Sequence, residues 1–70
     1  MKKYVLCINN IGYEVSLEKR KVYEEIYDES TAILGLIRVI DESGESYLFP
    51  KDFFVSVDIP EQVEELFSIA

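Results

Sequence analysis

The chain has 70 residues, 14 of them acidic and 7 basic, for a formal net charge of −7. It contains no histidine, no tryptophan and a single cysteine, which excludes a histidine-based triad, a Cys/His zinc site and an internal disulfide. A chain this short is one domain that buries only about 60% of its unfolded surface. So acidic a balance opposes duplex DNA, RNA and anionic lipid as primary partners, because phosphate is bound through Lys and Arg.

Branched and aromatic side chains outnumber the strong helix formers, so most of the chain is predicted to be strand. The first apolar run, residues 3–8, ends at the turn-forming Asn9-Asn10 and Gly12. Residues 12–21 read as a long loop with alternation at Tyr13, Val15 and Leu17. A second strand is predicted over 22–27, followed by a polar loop at Asp28-Glu29-Ser30-Thr31. The third run, 33–40, is the longest, and Gly35 within it predicts a bulge or sharp bend. Asp41-Glu42-Ser43-Gly44 fits a type I turn closing a hairpin. The fourth strand, 46–49, stops at Pro50, which cannot donate to a ladder. A single helical turn follows over 50–53, then a last strand over 54–57.

The tail changes period. Ile59, Val63, Leu66, Phe67 and Ala70 share one helical face, with Asp58 as N-cap and Pro60 in the first turn. The apolar stretch near the N-terminus is shorter than a signal peptide requires, and membrane spans need about 20 residues. Together with a lone Cys7 in an apolar run, this predicts a cytoplasmic protein with a buried thiol.

Strand, long loop, strand, short loop, hairpin, helical turn and strand is the element order of a Src-homology-3-type barrel. VSLEKRKVYEEI resembles the passage from the long loop into the second strand of such domains, and SYLFPKDFFVSV resembles their ending. NNIGYEVSLEKRKVYEEI and LIRVIDESGESYLFPKDFF together are similar to a group of small, uncharacterised bacterial and phage-borne proteins, over about residues 3–57. The resemblance implies a mainly β fold, a small five-stranded Src-homology-3-like barrel with a short C-terminal α-helix. Residues 1–58 would form the barrel and 59–70 the helix of the same domain. Members that bind proline-rich peptides use a Trp at the start of the third strand, where this chain has Ala32-Ile33-Leu34. Pro50 and Phe53 match the groove's Pro and aromatic positions, whereas Cys7-Ile8-Asn9 replaces its first tyrosines. Glu25 stands where an aliphatic residue facing the core is expected, which implies either a different register or an edge opened for a partner.

Cys7 has no base to activate it and is expected to pack. The paired carboxylates at 24/25, 28/29, 41/42 and 64/65 read as solvated surface, since strand neighbours point to opposite faces. Lys19-Arg20-Lys21 reads as a solvated turn. The tyrosines Tyr13, Tyr23, Tyr27 and Tyr47 suit either a contact surface or the roof of a small core. The expectation is a non-enzymatic protein-interaction module, monomeric or homodimeric and without a cofactor. Its protein partner would be met through Tyr13, Glu14, Asp28, Glu29, Pro50, Phe53 and Phe54. The alternative is an acidic, phage-type inhibitor that occupies a nucleic-acid- or nucleotide-binding site of a target protein.

Overall fold

Five short strands are laid down in near-sequential order, and the computed structural model describes residues 2–60 and Val63. They are β1 (Lys3–Cys7), β2 (Val22–Glu25), β3 (Leu36–Ile40), β4 (Ser46–Pro50) and β5 (Phe54–Val57). A one-turn helix, α1 (Glu29–Ala32), precedes β3, and a 3₁₀ turn (Lys51–Phe53) joins β4 to β5. All pairings are antiparallel, in the sheet order β4-β3-β2-β1-β5. The mainly β expectation therefore holds.

The sheet is rolled rather than flat. β4 and β5 stand at its two ends, and flat strands in that order would lie about 19 Å apart. The link between them is the three-residue 3₁₀ turn, and a chain from Pro50 to Phe54 reaches only about 14 Å. Phe49 of β4 and Phe54 of β5 indeed meet edge to face, with ring centroids 6.2 Å apart. The rolled inner face holds one cluster of Val5, Cys7, Leu17, Tyr23, Ile37, Val39, Phe49 and Phe54. Val5 and Cys7 of β1, and Ile37 and Val39 of β3, stand two residues apart within it, as the period of two requires.

Several boundaries differ from the sequence expectation. Asp28-Glu29-Ser30-Thr31 is not an irregular loop. Asp28 caps α1, its Oδ1 accepting from the Ser30 amide at 3.1 Å and the Ser30 hydroxyl at 2.6 Å. β3 begins at Leu36 rather than at residue 33, because Ile33 and Leu34 lie in the turn after α1 and are 82% and 70% exposed. Gly35 is accordingly no bulge within a strand. It ends that turn at φ +74°, giving its amide to the Ala32 carbonyl at 3.1 Å. β2 stops at Glu25 rather than 27. Glu25 lies between Lys3 and Val39 in register and is half-buried at the strand end. The β3–β4 turn follows expectation, with the Gly44 amide on the Asp41 carbonyl at 3.0 Å and Gly44 at φ +84°. The amphipathic tail predicted over 59–70 falls mostly outside the described residues. Among those residues no helix is long and apolar enough to cross a membrane.

Candidate functional site

The long loop between β1 and β2 is held by its own polar groups and by one apolar anchor. Asn9 Oδ1 accepts from the Ile11 amide at 3.0 Å, and Asn10 Nδ2 donates to the Leu17 carbonyl at 3.0 Å. The Leu17 amide closes back on the Tyr13 carbonyl at 2.8 Å, and the Leu17 side chain is 1% exposed in the core. This winding places Tyr13 over the aromatic cluster. Its ring meets Phe49 edge-on at 5.2 Å and Phe53 at 5.9 Å.

Opposite Tyr13 stands the β3–β4 turn. Asp41 Oδ1 accepts from the Ser43 amide at 2.8 Å and the Ser43 hydroxyl at 2.5 Å, which fixes the turn from within. Glu42 ties the turn to the loop. Its amide donates to the Ser16 carbonyl at 3.1 Å, its Oε2 takes the Tyr23 hydroxyl hydrogen at 2.5 Å, and Lys21 Nζ lies 2.6 Å from Oε2. Tyr23 in turn accepts the Glu18 amide hydrogen at 2.7 Å. Burial first and the Glu42 carboxylate second push the Tyr23 hydroxyl well above its ordinary value. The Lys21 ammonium, then the Tyr23 hydroxyl, hold the Glu42 carboxyl below its own.

Between these walls lies a cleft of ≈ 370 Å³ lined by Tyr13, Ser16, Asp41, Ser43, Tyr47, Leu48 and Phe49. A second groove, of ≈ 360 Å³, runs along the start of β1 and the end of β5, between Lys3, Tyr4, Glu25 and Val57.

Of the contact residues expected from sequence, the fold brings Tyr13 and Phe53 together, with half-buried Pro50 leading into the 3₁₀ turn that carries Phe53. Phe54 is a correction. At 7% exposure it belongs to the core, because β5 pairs it with the fully buried Cys7 on the inner face. Glu14 is exposed and accepts from the Gly12 amide at 3.2 Å. Asp28 and Glu29 belong to a different part of the surface. Asp28 Oδ2 lies 3.5 Å from Arg38 Nε, and Arg38 alternates with the inward Ile37 and Val39. Asp41, Ser43 and Leu48 join this cleft without being expected as contact residues, whereas Tyr47 is among the tyrosines that suit a contact surface. Alternation gave a signal for Tyr47, which stands two residues before Phe49 and opposite the buried Val39.

Cys7 is fully buried, its thiol donates to the Asn9 carbonyl at 3.3 Å, and burial raises its pKa. Among the described residues no group of His, Cys, Asp and Glu is arranged to hold a metal ion. Comparison with known families, curated proteins and solved structures finds no match to this chain.

Proposed function

We propose that this chain is a non-enzymatic protein-interaction module on a Src-homology-3-like barrel, working in the cytoplasm. The fold reading is supported by the β4-β3-β2-β1-β5 order and by the 3₁₀ turn that joins the two ends of a rolled sheet. The observation that carries the function is the cleft itself. Tyr13 forms one wall, edge-on to Phe49 and Phe53, and the opposite wall is latched to the loop through Glu42. A pre-formed recess with aromatic sides lowers the ordering cost of binding and suits a protein segment. Without a tryptophan, the partner is not expected to be a proline-rich helix of the kind the wider family grips.

Affinity capture from a native lysate, read by mass spectrometry, tests the reading. A specific partner should be retained by the natural chain and lost by Tyr13→Ala and Tyr47→Ala variants that keep the natural melting curve. Retention no better than that of a scrambled-sequence control removes the proposal. A second reading, the acidic inhibitor, is favoured by exposed carboxylates that stand outside every ion pair among the described residues, such as Glu14, Glu29 and Asp52. It predicts that nucleic acid competes with the chain for the captured partner and that affinity falls steeply with salt. Salt-insensitive capture without such competition rules it out.

A further inference from the structure

The charge inside the cleft is uncompensated. Glu24, Asp28 and Glu42 each have their own Lys or Arg. Asp41, the one charged residue of the cleft lining, is 7% exposed, and its carboxylate accepts from Ser43 and meets no cation among the described residues. Two tyrosine rings, Tyr13 and Tyr47, line the same space beside Leu48. The Tyr47 hydroxyl donates to Glu45 at 2.9 Å, and that hydrogen bond holds the phenolic proton and enriches the ring in electron density. A sheltered carboxylate beside electron-rich rings is the chemistry that holds a cationic head group, by charge and by the ring quadrupole together. Guanidinium fits better than ammonium, because it is planar, weakly hydrated and stacks on aromatic faces.

We propose that the cleft receives an arginine side chain of a protein partner, with the guanidinium toward Asp41 and the partner's neighbouring apolar residues against Tyr13 and Leu48. This deepens the interaction reading above, on which it rests, by naming the chemistry of the partner. Titration of the isotopically labelled full chain with acetyl-Leu-Arg-Leu-amide, followed by amide NMR shifts, tests it. The natural chain should show shifts confined to Tyr13, Ser16, Ser43 and Tyr47. The citrulline peptide, which keeps the shape and removes the charge, should bind about tenfold more weakly. Asp41→Asn, which keeps the oxygen that caps Ser43, should weaken the arginine peptide by a similar factor, with amides of β5 unchanged as the check on folding. Equal binding of the citrulline peptide in the cleft overturns the arginine assignment and leaves the interaction reading standing. Shifts scattered over the acidic surface, or none from either peptide, also overturn the assignment, while lysate capture decides the interaction reading independently.

Discussion

The Tyr23 hydroxyl accepts the Glu18 amide hydrogen and gives its own to Glu42, so removing that one oxygen strands the Glu18 amide and leaves Glu42 with Lys21 alone. Tyr23→Phe is therefore expected to cost about 1–3 kcal/mol, read as a lower urea midpoint at unchanged slope. The same residue governs the alkaline limit. Its folded pKa stands above its ordinary value of 10.0, so the neutral phenol contributes stability that is fully present below pH 10. That contribution drains away as pH rises towards the folded value, because the unfolded chain releases the proton first. In an alkaline melt followed by tyrosinate absorbance, one tyrosine should ionise together with unfolding, and Tyr23→Phe should abolish that coincidence. Ionisation of every tyrosine ahead of unfolding contradicts the assignment.

At the scale of elements, the long loop shows how unequal neighbouring residues are. Leu17 is 1% exposed and Val15 is 95% exposed, although both belong to the alternation read from the sequence. Leu17→Ala should cost about 2–5 kcal/mol, a large part of a small domain's stability, and Val15→Ser should stay within about 0.5 kcal/mol. Comparable losses from both in chemical denaturation would show that the loop is not hung on Leu17. Gly35 offers a second test. Open space surrounds the position of an added Cβ, so Gly35→Ala meets only the backbone cost of φ +74°, about 1–2 kcal/mol. Gly35→Asn should recover part of that loss in the same melts, and a larger loss for Asn than for Ala would contradict a purely conformational cost. These elements also show what was legible. The sequence places β5 at its observed bounds because Pro50 and the helical turn punctuate the chain before it. The apolar run over 33–40 overstates β3 because Ile33 and Leu34 are apolar, and apolar residues exposed in a turn carry no sequence signal of their exposure. Tyr13 is legible as a contact residue from its place among the tyrosines and on the long loop, and Phe53 only through the resemblance to the aromatic position of a Src-homology-3-type groove. The opposite wall was not, since Asp41 and Ser43 have a sufficient local reason to be where they are, and only the folding-over of the sheet brings them to face Tyr13.

For the whole molecule, charge sets two opposed trends with pH. Between neutrality and the isoelectric region near 4.4, protonation relieves the self-repulsion of a chain at −7, which favours the folded state. Glu42 acts in the other direction. Its folded pKa lies below its ordinary 4.5, so its contribution is whole above that value and is lost as pH falls through the folded one. Asp28 follows the same sign from 3.8, held down chiefly by the Ser30 hydroxyl. The melting temperature should thus rise as pH is lowered from 7, peak at about pH 5 and fall below about pH 4. A steady decline from neutrality would mean that repulsion is negligible, and Glu42→Gln should flatten the acid limb.

The single thiol has a use that its inertness creates. Cys7 lies on β1 opposite Phe54, gives its amide to the Lys21 carbonyl and accepts the Arg20 amide, so it is enclosed by the middle of the sheet, β5 and the end of the long loop. A disulfide reagent reaches it only when those three part, which makes the labelling rate in plain buffer a clock for rare openings. Compared with the unfolded chain's rate, it returns the opening equilibrium without any denaturant. Repeating the clock with a bound partner would tell whether that partner grips the loop alone or braces the whole sheet.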